Sequence, residues 1–124
     1  MNCEMEARAT VNPTEDLEKV TRALSNVFDY EDLIIGVDQV TVTGEISCLH
    51  MLKESLEARK IRETARRILM KGTKENRIYF KLSKQAAFAG KVNLLTDELS
   101  ALGEIDVVVK CENTEKFTDW ICGY

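Results

Sequence analysis

The sequence is poor in the residues and patterns that define several large protein classes. Its 124 residues include one proline and six glycines, too few for a collagen-like or linker-dominated chain. No apolar run approaches the roughly 20 residues that a membrane-spanning helix needs. Glu4 and Glu6 stand where a secretory signal peptide has basic residues and then an apolar stretch. We therefore expect a cytoplasmic protein with no membrane partner.

Residues and motifs typical of catalytic and cofactor sites are also scarce. His50 is the single histidine, and beyond Ser47 no serine or aspartate lies near it at a recognised spacing. Nucleophilic hydrolysis needs a base positioned beside the nucleophile, and no recognised spacing provides one here. The sequence has no G-x-G-x-x-G and no G-x-x-x-x-G-K phosphate loop. We expect no enzyme activity, no catalytic residue and no cofactor.

The four cysteines are too widely spaced to suggest a metal site. Cys3, Cys48, Cys111 and Cys122 contain no C-x-x-C pair of the kind that presents two thiolates to one zinc ion. Cys3 and Cys111 lie in strand-like segments, so we expect them to behave as small apolar side chains. A disulfide is the alternative, although a reducing cytosol disfavours it.

Alternation of apolar and polar residues predicts several strands. The pattern has period two over residues 3–11 and 77–82. The β-branched stretch 33–43 is interpreted as one strand with a bulge or bend near Gly36 to Asp38. Residues 92–95 and 104–111 are typical of two further strands.

Helical periodicity separates these strands. Asn12 is expected to cap a helix that has Pro13 in its first turn and ends near residues 28–30. Residues 46–71 contain two apolar stripes on opposite sides, which predicts two helices or a sharp reorientation near residues 57–60. Ser83 is expected to cap a short helix closed by Gly90, and a last helix is expected around residues 117–121.

The predicted order is β-α-β-α-α-β-(short α)-β-β, in one domain spanning residues 1–124. Strands mixed with helices in this way are typical of an α+β fold. We expect a two-layer sandwich in which a mostly antiparallel sheet carries the helices on one face.

The net charge of −4 hides an uneven distribution of charge. Twelve of the 17 Lys and Arg residues lie at positions 53–91, together with only four Glu. The rest of the chain has five basic and seventeen acidic residues. An acidic chain argues against indiscriminate binding of polyanions, whereas a basic middle between acidic ends fits one localised anion-binding face.

Basic and aromatic side chains in this middle region form a candidate RNA-binding surface. Arginine suits phosphate because its planar fork makes bidentate hydrogen bonds. Tyr79 alternates with Arg77 and Lys81, so its ring can stack on an unpaired base. The candidate residues are Arg59, Arg62, Arg66, Arg67, Lys71, Lys74, Arg77, Tyr79, Lys81, Lys84, Gln85 and Lys91. The alternative is an ordinary solvated face, balanced by Glu57, Glu63 and Glu75.

Four stretches of the sequence resemble an archaeal family of small, predicted RNA-binding proteins. The matching stretches are 11–16 with Lys19-Val20, Ile61-Arg62 with Ala65-Arg66, 84–87 with 90–93, and Leu102-Gly103 with Ile105. Prolines are expected on both flanks of Leu102-Gly103, where Ala101 and Glu104 stand instead.

The resemblance implies an α+β fold similar to that of the ribosomal protein that binds 5S RNA, and a role in RNA processing or translation. It brings no catalytic residue with it. The positions that match the family and suit RNA are Arg62, Arg66, Lys84, Gln85 and Lys91.

Two hypotheses follow from the sequence. The first is a non-enzymatic RNA-binding domain that uses the basic residues between positions 53 and 91. The second is a protein-interaction module or assembly subunit, whose basic middle pairs with the acids of a partner protein or of another copy of the chain.

Overall fold

Strands that pair antiparallel form one twisted layer of the protein. The computed structural model describes residues 2–58, 60–95 and 104–123. In chain order the elements are β1 (Cys3–Thr10), α1 (Leu17–Val27), β2 (Asp32–Ile35), β3 (Gln39–Glu45), a 3₁₀ turn (Ile46–Leu49), α2 (His50–Ala58), α3 (Arg62–Lys71), β4 (Thr73–Lys74), β5 (Arg77–Ser83), α4 (Lys84–Phe88), β6 (Leu94–Leu95), β7 (Glu104–Cys111) and α5 (Thr114–Ile121).

The seven described strands make a single sheet in the order β2-β3-β1-β7-β5-β4, and β6 also pairs with β5. All pairings are antiparallel. Along β1, β5 and β7 buried residues alternate with residues that are exposed or partly exposed. Each of these strands therefore turns one face to the core and the other to solvent.

The helices cover the apolar face of the sheet. Helix α1 packs against β3 and α4, α3 packs against β5 and α5, and α5 also contacts β7. The largest buried side chains include Phe28 at the end of α1 and Phe117 in α5. The predicted α+β sandwich with a mostly antiparallel sheet is thus confirmed. In the described part of the chain, no helix is long and apolar enough to span a membrane.

The stretch 33–43 is two strands, so the prediction of one bent strand is wrong. The Gly36 N–H donates to the Gln39 carbonyl oxygen at 2.8 Å and closes a hairpin between β2 and β3. The sequence does not reveal this hairpin, because Val37 and Asp38 at its tip are not an Asn-Gly or similar pair typical of a two-residue turn. The element order gains a strand here and another, the two-residue β4, before β5.

Helix α1 begins later than predicted. Its N-cap is Asp16, whose side chain accepts a hydrogen bond from the Glu18 N–H at 2.9 Å. Asn12 instead forms a turn with Glu15, in which the Glu15 N–H donates to the Asn12 carbonyl and the Asn12 N–H donates to the Glu15 carboxylate. The capping-box spacing is real, but it closes a turn that precedes the helix.

Other predicted boundaries are confirmed. The stretch 46–71 divides into α2 and α3, and Lys60 between them has a positive φ of 55°. The Ser83 hydroxyl accepts a hydrogen bond from the Ala86 N–H and caps α4. Gly90 follows α4 with φ of 74°, in the left-handed region that glycine adopts without strain.

A disulfide joins Cys3 to Cys111, so the prediction that these two cysteines are apolar thiols is wrong. They are register partners on β1 and β7, with their Cα atoms 4.5 Å apart. The sequence could not reveal this neighbourhood because the two strands are far apart in the chain. Cys48 and Cys122 are buried thiols, and burial raises the pKa of each.

Candidate nucleic-acid interface

The face of the sheet opposite the helices carries a solvent-exposed groove. Its volume is about 1300 Å³, and side chains of β1, β5 and β7 line it together with residues of α3. The alternation along each strand explains this lining, because every second residue projects away from the core. The basic residues of the groove are Arg8, Arg67, Lys71, Arg77, Lys81 and Lys110, and its acidic residues are Glu4, Glu6, Glu31, Glu45 and Asp106.

Along one row these charges are sorted by sign across the sheet, whereas in the row of Lys81 the acid Asp106 lies between Lys81 and Arg8. Lys74 is the register partner of Arg77, and Arg77 is the register partner of Lys110. Continuing along the same row, Glu4 is opposite Lys110, and Glu45 is opposite Glu4. One row therefore changes from three cations to two carboxylates at the boundary between β7 and β1. Cross-strand partners have Cβ atoms about 4.5–5.5 Å apart, so the three cations are close neighbours.

Arg77 and Lys110 have no ion-pair partner within 4.0 Å among the residues that the structure describes. Like charges directly opposite each other destabilise a sheet. The row Lys74, Arg77 and Lys110 is consequently a positive strip without a close ion pair, bordered by Glu4 opposite Lys110, and a bound anion would stabilise it.

An exposed aromatic ring lies in the next row. Tyr79 is 45% exposed, and its register partner on β7 is Val108. The Tyr79 N–H donates to the Gly72 carbonyl oxygen at 2.9 Å, which fixes β5 against the end of α3. A Cβ atom on Gly72 would overlap the carbonyl oxygen of Tyr79. Gly72 is therefore needed for this close approach rather than for an unusual backbone angle.

Helix α3 adds two cations to the groove, Arg67 and Lys71. Both side chains are exposed, and they lie on the side of α3 opposite to buried Ala65 and Leu69. Lys81, two residues beyond Tyr79, forms a solvent-exposed ion pair with Asp106 at 3.7 Å. We call Arg67, Lys71, Lys74, Arg77, Tyr79, Lys81 and Lys110 the basic sector.

Two other arginines of α3 face a different neighbour. Arg66 forms an ion pair with Asp119 of α5. Arg62 donates to the Gly123 carbonyl oxygen at 3.2 Å, just beyond the end of α5. These contacts hold α3 against α5, so Arg62 and Arg66 lie outside the groove. Arg59 lies outside the described residues.

Lys84 has its ammonium group inside the protein. Its side chain is fully buried, and Nζ donates to a Glu15 carboxylate oxygen at 2.8 Å and to the Thr10 carbonyl oxygen at 2.7 Å. Burial by itself raises the pKa of Glu15, but hydrogen bonds from Lys84 and Asn12 outweigh it and hold that pKa below its ordinary value of 4.5. The structure thus gives Lys84 a contact between α4 and the turn before α1, not a surface position.

Gln85 and Lys91 are exposed at the two ends of the short α4 segment. This segment packs on α1, and neither residue lines the groove. The structure therefore does not bring them together with the basic sector.

The sequence analysis missed Lys110 and Arg8 as residues of the groove. Each occupies an outward position of an alternating strand, which is the one sequence signal that points to them. Their proximity to β5 depends on the central β1–β7–β5 pairing, which local patterns do not reveal. Chemically, the surface offers cationic donors beside one aromatic ring, and the described residues include no cluster of three metal-binding side chains.

The fold and this surface define an α+β protein with an open, partly basic sheet face. The chain belongs to the UPF0201 family of archaeal proteins, and a family model described as RNA binding matches residues 4–114. The UPF0201 protein of Methanothermobacter thermautotrophicus is 40% identical over 117 residues, covering 94% of this chain and 89% of the relative. That of Thermococcus onnurineus is 36% identical over 124 residues, covering 95% and 90%.

Solved structures agree with this assignment. The crystal structure of the UPF0201 protein from Methanococcus jannaschii superimposes with a TM-score of 0.81 at 32% identity, covering 98% of this chain and 93% of the other. A second UPF0201 crystal structure has a TM-score of 0.84 at 29% identity, covering 98% and 94%. The predicted membership of an archaeal family linked to RNA binding is confirmed.

Proposed function

We propose that this protein is a single, non-enzymatic RNA-binding domain of the cytoplasm, and that the basic sector is its binding surface. In this proposal the cations of α3, β4, β5 and β7 contact phosphates, and Tyr79 stacks on an unpaired base. The family resemblance implies a fold similar to that of the ribosomal protein that binds 5S RNA, and on this ground we propose a role in RNA processing or translation.

The observation that carries the proposal is the strip formed by Lys74, Arg77 and Lys110. These three cations repel one another across neighbouring strands, and an opposite charge, Glu4, faces only the last of them. A nucleic acid that binds such a strip releases the counterions condensed on its phosphates. This release is a major source of affinity in nucleic-acid binding.

Tyr79 distinguishes RNA with unpaired bases from other polyanions. Sequence-tolerant recognition of single strands combines a positive groove with aromatic rings on which bases stack. Bases inside a duplex are already stacked on their neighbours, so the Tyr79 ring gains little from them. We accordingly propose single-stranded or looped RNA as the target.

The acidic part of the groove limits the width of the binding surface. Glu4 and Glu45 continue the row of cations on β1 and β3, and Glu6 lies beside them on β1. With strands about 4.8 Å apart, the strip of Lys74, Arg77 and Lys110 spans β4, β5 and β7 before the sign reverses at Glu4. One nucleic-acid backbone fits this strip, whereas a second backbone would meet carboxylates.

The test is fluorescence anisotropy of the whole protein with labelled single-stranded RNA, an RNA hairpin and duplex DNA, at about 50 and 200 mM salt. The expected result is binding to single-stranded or hairpin RNA with micromolar or lower Kd. For about one phosphate contact by each of the six cations of the basic sector, the slope of log K against log salt should be near −4. Absence of binding to either RNA at the lower salt concentration would refute the proposal, as would equal affinity for duplex DNA.

A further inference from the structure

The strand β2 leaves one edge of the sheet open. It is the first strand in the sheet order and pairs with β3 on one side. No strand in the described ranges pairs with its other side. An open edge presents backbone N–H and C=O groups that can template pairing with another chain.

Between Asp32 and Asp38, this short edge lacks the lysines, prolines and bulges by which proteins usually prevent such pairing. Leu33 is 38% exposed, Ile34 is 60% exposed and Ile35 is 55% exposed. Natural edges carry lysines, prolines or bulges, whereas residues 33–37 here contain no charged residue and no proline. These exposed apolar side chains lie beside the unpaired backbone groups of the edge, on both faces of the strand.

The hairpin determines which backbone groups point outward. Gly36 and Gln39 are a hydrogen-bonded pair, because the Gly36 N–H donates to the Gln39 carbonyl at 2.8 Å. Hydrogen-bonded and non-hydrogen-bonded positions alternate along an antiparallel pair. Ile34 therefore directs its backbone groups to β3, while Leu33 and Ile35 direct theirs to the open edge.

We infer that β2 pairs antiparallel with β2 of a second copy of this chain, about a twofold axis at Ile34. This register places Leu33 opposite Ile35 of the second copy, and each such pair can exchange both backbone hydrogen bonds. Ile34 meets Ile34 of the second copy at the axis. The two sheets then continue into one, and their open faces lie on the same side.

The positions of the charged residues favour this register over the one with its axis at Ile35. With the axis at Ile34, Asp32 lies opposite uncharged Gly36 of the second copy. An axis at Ile35 would place Asp32 opposite Asp38, bringing like charges together across the pair. About Ile34, the apolar residues 33–35 of the two copies lie opposite one another.

The dimer is independent of the proposed RNA binding, since the basic sector and β2 lie toward opposite edges of the sheet. A single four-residue edge is a small interface, and small interfaces are typical of weak or transient complexes. The dimer should therefore dissociate on dilution.

The experiment is sedimentation equilibrium of the intact protein over a range of concentrations. It compares the wild type with Ile34→Lys, with Ile34→Glu and with an equal mixture of these two variants. Met70→Lys is the matched control, because Met70 is a similarly exposed apolar residue (58%) on α3. Thermal unfolding of each variant verifies that it is folded.

The wild type and Met70→Lys should double in mass as concentration rises, whereas each Ile34 variant alone should stay monomeric. The mixture should form dimers again, because a twofold axis at residue 34 sets lysine against glutamate. A wild type that stays monomeric at every concentration would overturn the inference. A dimer that either Ile34 variant leaves unchanged would overturn it as well, since the interface would then lie elsewhere or involve another partner surface.

Discussion

Arg77 lies directly opposite Lys110 on neighbouring antiparallel strands, so two cations share one cross-strand position on the open face of the sheet. Lys74 extends the pair to a third strand. The arrangement costs the fold some stability, and the proposal that these cations bind phosphates links the sheet register to the proposed function.

Arg77→Glu should therefore stabilise the folded protein. The new carboxylate would lie between Lys74 and Lys110, and replacing repulsion by attraction at cross-strand positions is worth about 0.2–1 kcal/mol per pair. The measurement is urea unfolding at low salt, where surface charges are least screened. A free energy of unfolding that falls by more than the experimental error would contradict the described neighbourhood of Arg77.

Tyr79→Ala should weaken binding of single-stranded RNA, whereas Tyr79→Phe should retain it. Stacking of one base on an aromatic side chain contributes about 1–3 kcal/mol, so the loss should be about tenfold or more in Kd. Phenylalanine keeps the ring and thus serves as the control. Anisotropy titrations measure both affinities. Similar losses in the two variants would assign the role to the hydroxyl group and not to stacking.

Lys84→Met should destabilise the fold by about 3–5 kcal/mol, because it leaves the Glu15 carboxylate buried without its cation. The double variant Lys84→Met, Glu15→Leu should recover part of this loss, since it removes the unpaired charge. Chemical denaturation of the two variants provides the comparison. If the double variant is less stable than Lys84→Met alone, the ion pair is not the cause.

Stability should fall in acid because of Glu15. Its pKa is lower in the folded protein than its ordinary value of 4.5, so the unfolded chain binds more protons as the pH falls below that value. The stabilisation is present above pH 4.5 and is lost as the pH falls through the folded-state pKa.

The control for this pH dependence is Glu15→Gln, which does not titrate at that position. The free energy of unfolding should differ most between wild type and variant above pH 4.5, and the difference should shrink on acidification. A constant difference between about pH 6 and pH 3 would contradict the role of this carboxyl group.

Local sequence patterns predicted most of the elements but few of the contacts between them. The alternation in β1, β5 and β7 and the break between α2 and α3 are local properties, and the structure has them where expected. The hairpin tip at Val37 was missed because an apolar residue occupies the turn. The pairing of Cys3 with Cys111 was missed because strand order is a property of the whole sheet.

The candidate site could be predicted only in part, for the same reason. A cluster of basic residues in sequence does not say which of them share a face. Arg66 forms an ion pair with Asp119, and Lys84 forms one with Glu15, whereas Lys110 lies opposite Arg77 across the sheet. The alternating residues Arg77, Tyr79 and Lys81 were correctly placed together because a strand puts every second residue on one side.

The most direct test of the account compares Arg77→Glu with Lys91→Glu in anisotropy titrations on single-stranded RNA. Both variants exchange an exposed cation for glutamate, but only Arg77 belongs to the basic sector. We predict that Arg77→Glu raises Kd at least tenfold and makes the salt slope shallower by about 0.7, the value for one phosphate contact on a single strand. Lys91→Glu should leave both quantities nearly unchanged. Equal losses in the two variants, or an unchanged Kd in Arg77→Glu, would contradict RNA binding on the open face of the sheet.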